Sequence, residues 1–121
     1  MKAKKTITDD AILEVARGAA RLLDGKKAED VLLIDLSKIH SYLDYFVIAT
    51  ANSLIHGRAL SREAQNFFRA EGFPERSKPH LDSQWIALDY HEIVVHVFTR
   101  EMREYYQLER LWADAESIEF R

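Results

Sequence analysis

The sequence predicts an α/β layered domain: a mixed β-sheet flanked by helices on at least one face. Three amphipathic stretches at helical spacing are bounded by capping or breaking residues. Four short apolar runs, rich in β-branched and aromatic residues, are too short to stand as helices. Their order is helix, two strands, helix, loop, two strands, helix. With 121 residues and no internal repeat or linker, the chain reads as one domain, with a basic N-terminal and an acidic C-terminal tail.

The first helix is expected over about residues 8–24. Thr8 offers a cap, Asp9 and Asp10 complement the macrodipole, and Ile12, Val15, Ala16, Ala19, Leu22 and Leu23 share one face. Gly25 stands where a left-handed cap would end it. Val31–Leu36 and Tyr45–Thr50 follow as central strands, nearly continuous in apolar character as strands covered on both faces are. Ser37–Ser41, with His40, separates them.

Asn52 and Ser53 cap a second helix, with Ile55, Ala59, Leu60, Ala64, Phe67 and Phe68 on its inner side and Gly72 and Pro74 ending it. Residues 72–83 read as a surface loop with room for one short edge strand. Trp85–Tyr90 and Ile93–Phe98 form a hairpin around His91-Glu92, a poor pair for a primed turn. The last helix is expected over about 101–112, with Met102, Tyr105, Leu108, Leu111 and Trp112 packing inward, and the tail 113–121 is expected to fray.

Composition excludes several functions. Zero cysteines remove disulfides, thiolate metal sites and cysteine nucleophiles. Seventeen basic against 20 acidic residues, a net charge of −3, disfavours phosphate-led nucleic-acid binding. No apolar run approaches the ~20 residues of a membrane span, and Lys2, Lys4 and Lys5 lack the apolar stretch of a signal peptide, so the expected location is cytoplasmic.

The histidines His91 and His96 stand five apart in strand sequence, so they point to opposite faces and cannot share a metal. Asp35, Asp44 and Asp89 stand at or beside strand ends, where acids could hold magnesium, and a magnesium-dependent nucleotidyltransferase-like enzyme is the alternative reading. It lacks a glycine-rich phosphate cradle. No serine stands in a nucleophile elbow. On a helix Tyr105 and Tyr106 diverge by about 100°, so both rings cannot be inside, and one is a candidate partner-facing aromatic.

Asp44–Thr50, Ser53, His56, Trp85–Tyr90, Val94–Phe98, Arg103, Tyr105-Tyr106, Leu108-Glu109 and Leu111-Trp112, taken in order, resemble successive blocks of the ribosomal silencing factor family, RsfS or Iojap. The resemblance covers roughly residues 8–114. It departs at Ala51, where the family usually has glycine; at Lys78-Pro79-His80, where it has Glu-Gly; and at His91-Glu92, where it has Gly-Asp. It implies a fold similar to nucleotidyltransferase domains, put to use in binding without catalysis, cofactor or metal.

The implied partner is the large ribosomal subunit, reached through ribosomal protein L-fourteen, with peripheral contacts to ribosomal RNA. Docking there would block subunit joining and repress translation; organellar relatives act in large-subunit assembly. The residues expected to make contact are Asp44, Tyr45, Asp89, Tyr90, Glu92, Arg103, Tyr106 and Glu109. Acids would pair with a basic partner and tyrosines would anchor the patch. Trp85, His96 and Trp112 are assigned to core packing, and a homodimer of the free chain is a third reading.

Overall fold

In the computed structural model, the described residues are 9–39, 43–111 and 115–121, with the backbone alone for Asp9, Glu109 and Leu111. Thr8, the lysines of residues 1–5, His40 and Trp112 lie outside them. The described elements run α1 (Asp9–Gly25), β1 (Glu29–Asp35), β2 (Tyr45–Ala51), α2 (Leu54–Ala70), β3 (Trp85–Asp89), β4 (Ile93–Thr99), α3 (Arg100–Tyr106), α4 (Leu108–Leu111) and β5 (Glu116–Ser117). They form one mixed sheet, as the sequence predicts, with the strand order β3-β4-β2-β1-β5. Among the described strands, only β2 and β4 pair in parallel. Such a pair needs a crossover, which the chain makes through α2, the following loop and β3.

Strand alternation divides the interior into two layers. Leu33, Val47, Ala49, Ile86, Leu88, Val95 and Val97 meet Ile12, Ala16, Leu23, Leu60, Ala64 and Phe68 of α1 and α2. On the opposite face Ile34, Phe46, Ile48 and Phe98 pack with Leu108 and Met102. Every residue of β2 is therefore buried, which is why its sequence is a nearly unbroken apolar run.

The structure moves several boundaries. Lys27, not Gly25, takes the left-handed conformation after α1 (φ 72°), and the Ala28 amide closes back on the Leu23 carbonyl at 3.0 Å. Ser53 does cap α2, accepting the His56 amide. Its buried stripe is Gly57, Leu60, Ser61, Ala64 and Phe68, whereas Ile55 is 79% exposed and Ala59 is also outside. Small residues make this close contact: a Cβ on Gly57 would sit 3.5 Å from that of Ala51, and the Ser61 hydroxyl is satisfied by the Gly57 carbonyl.

The loop before β3 holds no strand; the Arg76 amide makes a single backbone bond to Asp89. The final helix is interrupted at Gln107, whose φ of 48° ends α3 before α4 begins. The described part of the tail, residues 115–121, does not fray. Glu116 and Ser117 pair with β1, the Ile118 amide reaches the Leu33 carbonyl, and Phe120 is buried.

The hairpin between β3 and β4 closes tightly. The Glu92 amide bonds the Tyr90 carbonyl at 3.0 Å around His91, whose φ is 74°. That is a γ-turn at a residue with a Cβ, a strained arrangement. His91→Gly is expected to raise stability by about 1 kcal/mol, seen as a higher urea midpoint with an unchanged slope. An unmoved midpoint would show that the turn stores no strain.

Candidate docking face

The sheet surface opposite α1 and α2 is only partly covered. On β3, Trp85, Ala87 and Asp89 lie opposite Phe98, His96 and Val94 of β4 and point to this side. Here β3 is an edge strand, while Leu108 and Met102 of α3 and α4 pack over the β1–β2–β4 part. Ala87 is exposed, and Trp85, Asp89 and Val94 are half-buried.

The chain runs from β4 straight into α3, where the Thr99 hydroxyl caps the helix on the Met102 amide. Arg103 fixes α3 to the sheet: it is buried and donates to the Thr50 hydroxyl at 2.8 Å. These anchors bring Tyr106 onto the indole of Trp85, with ring centroids 4.9 Å apart, and set Tyr105 perpendicular to Tyr106 at 5.0 Å. Tyr106 is 46% and Tyr105 76% exposed. The expectation that Tyr105 packs inward is corrected: the break at Gln107 ends the stripe that would have carried it. Trp85 is not plain core packing either, since its half-buried ring lies against the partly exposed Tyr106.

Trp85 is held from inside. Its indole N–H donates to His96 Nδ1 at 3.0 Å, and its ring stacks on Phe98 at 5.0 Å. Accepting at Nδ1 places the neutral imidazole's proton on Nε2, and among the described residues that buried atom has no hydrogen-bond partner. Such a group costs about 1–3 kcal/mol. Phe46, edge-to-face at 4.5 Å, is its close aromatic neighbour. Burial pushes His96 down from 6.5 to about 4, with the Asp89 carboxylate pulling weakly the other way.

The register gathers the expected acids at one end of the sheet. Asp35 lies opposite Tyr45, Tyr45 opposite Ile93, and Asp89 opposite Val94. Asp44 and Glu92 are buried there, and the Asp44 and Tyr45 amides share the Glu92 carbonyl. Asp35 and Asp89 each accept an amide two residues on, Ser37 and His91, while remaining half-exposed. Among the described residues, no three His, Asp or Glu side chains form a group that could hold a metal.

Tyr45 and Tyr90, expected as anchors, are buried on the other side of the sheet. Tyr90 stacks on Phe68 at 4.1 Å, and its hydroxyl donates to Glu75 at 3.3 Å. Burial and the Glu75 carboxylate hold that phenol protonated well above its usual range. It borders a cleft of about 350 Å³ with Gln65, Arg69, Phe73 and Pro74. The Glu109 side chain lies outside the described residues. Of the eight expected contacts, the structure thus leaves Tyr106 and Asp89 accessible on this face, beside Tyr105 and Trp85. The divergence of adjacent helical positions was the signal for the tyrosines, and nothing in the sequence marked Trp85 as half-buried.

The sequence pattern of a family described as "Ribosomal silencing factor during starvation" matches residues 9–121. The "Ribosomal silencing factor RsfS" of Bacillus subtilis is 37% identical over 106 residues, 87% of each chain. A mouse relative, "Mitochondrial assembly of ribosomal large subunit protein 1", is 30% identical over 75% of this chain and 42% of its own. A crystal structure of a Chromobacterium violaceum protein superposes with a TM-score of 0.78 at 28% identity, covering 84% of this chain and 86% of that one.

Proposed function

We propose that this chain, which belongs to the RsfS family of ribosomal silencing factors, represses translation by docking on the large ribosomal subunit and obstructing subunit joining. It acts without catalysis, cofactor or metal, as a cytoplasmic protein. The docking partner is a basic ribosomal protein, identified by the family resemblance as L-fourteen. Peripheral contacts reach neighbouring ribosomal RNA. The observation that carries this reading is the exposed aromatic pair Tyr105 and Tyr106 beside half-buried Trp85, with Asp89 on the same face of the sheet.

An exposed aromatic cluster supplies contact area, because such side chains dominate interface energetics. Acids beside it would steer a basic partner and fix its register. A net charge of −3 suits a protein surface better than a phosphate backbone. Steric exclusion needs no further chemistry: a bound 14.1 kDa domain occupies space that the small subunit would fill. The same docking would serve subunit assembly, the role in the mouse relative's name.

The test is equilibrium binding to purified ribosomal protein L-fourteen. Tyr106→Ala is expected to weaken it about tenfold, roughly 1.4 kcal/mol. Arg121→Ala, an exposed change outside this face, is expected to leave it unchanged. Equal affinities for Tyr106→Ala and the unaltered chain would remove the aromatic face from the interface.

A further inference from the structure

We propose that His96 is the positioning residue of the docking face: its Nδ1 holds the Trp85 indole in the orientation on which Tyr106 rests. The inference deepens the docking reading above and rests on it. Among the described residues, the bond to His96 is the only hydrogen bond the indole N–H makes. Ala87, directly opposite His96 in the register, is too small to pin the ring. Trp85 is half-buried, so an indole without that acceptor can turn its N–H to water. Doing so would take away the surface against which Tyr106 packs at 4.9 Å.

The position is also badly filled if packing is its only purpose. His96 lies between Val94 and Phe98 on one face of β4 and opposite Ile48 of β2, an apolar setting suited to an aliphatic residue. The imidazole instead leaves Nε2–H buried and, among the described residues, unpartnered. A leucine would relieve that burden but offer the indole nothing. The groups facing His96 are therefore Trp85, Phe46 and Phe98, with Asp89 as the charge that acts on it.

The experiment compares the unaltered chain with His96→Leu and His96→Asn, whose Oδ1 can stand in for Nδ1. Three quantities are read: affinity for purified large ribosomal subunits, melting temperature, and the NMR resonance of the Trp85 indole N–H. For His96→Leu the expected result is a melting temperature unchanged or higher, an indole resonance shifted to the water-exposed position, and about tenfold weaker binding. His96→Asn is expected to stay within threefold of the unaltered chain. As a second route, the effect of His96→Leu should vanish in a Trp85→Phe background, which has no N–H to hold. Unchanged affinity in His96→Leu, or equal losses in the leucine and asparagine variants, would overturn the positioning role. An unaltered chain that fails to bind large subunits would instead overturn the docking reading beneath it.

Discussion

Between pH 6.5 and pH 4 the protein is expected to lose about 3 kcal/mol of folding stability through His96 alone. In the folded chain this imidazole is pushed down to about 4, because its strand position removes it from water. In the unfolded chain it titrates at its ordinary value of 6.5. Well above pH 6.5 it is neutral in both states and contributes no pH dependence. As the pH falls the unfolded chain takes up a proton that the folded chain refuses, so stability drops progressively and the loss is complete below about 4.

Protonation would also remove the Nδ1 lone pair that accepts from Trp85, so acid loosens the docking face as it weakens the fold. Urea midpoints measured from pH 7 to 4.5 check this above the range where exposed carboxylates dominate. The unaltered chain should show a steep decline, and His96→Leu a much flatter one. Parallel declines would assign the acid sensitivity elsewhere.

Phe120→Ala is expected to cost about 3–5 kcal/mol, a large share of the ~5–15 kcal/mol that holds a domain of this kind. Phe120 is 4% exposed and belongs to the core layer between the sheet and α1. The backbone that delivers it is fastened at several points. The Ile118 amide bonds the Leu33 carbonyl at 2.8 Å, Arg17 donates to the Glu119 carbonyl at 3.2 Å, and Arg21 donates to the Phe120 carbonyl at 2.8 Å.

Because these bonds fix the backbone, the cavity left by the ring cannot collapse easily, which favours the upper part of the range. Arg121→Ala, which removes exposed pairs with Asp24 and Glu119 and a guanidinium lying over the Phe120 ring, should change stability by less than about 1 kcal/mol. Urea unfolding followed by circular dichroism gives both numbers. A loss below 1 kcal/mol for Phe120→Ala would mean that the tail is not part of the cooperative unit.

The tail also shows why some of the architecture was legible in the sequence and some was not. Strands β1, β2, β3 and β4 announce themselves through short apolar runs, and α1 through its capped periodic stripe. Both signals come from burial that repeats along the element. Phe120 and Ile118 are isolated apolar residues in a charged tail, and only distant partners in the core give them a place. Ile55 misleads for the converse reason. Its apolar character suggests an inward position, but α2 presses on the sheet through Gly57 and Ser61, whose small size permits the approach.

At the docking face the same logic holds. The angular divergence of Tyr105 and Tyr106 requires one ring to be outside, and the left-handed Gln107 puts both there. Tyr45 and Tyr90 share the residue type but sit on the helix-covered side, a fact set by strand register rather than composition. The bond between Trp85 and His96 joins residues eleven apart in sequence, brought together by antiparallel pairing that the hairpin fixes.

Co-sedimentation of the purified chain with separated ribosomal subunits tests the central claim most directly. The account predicts that the chain travels with the large subunit and not the small one, and that replacing Tyr105 and Tyr106 together by alanine leaves it in the supernatant. Sedimentation with neither subunit, or equally with both, would contradict it.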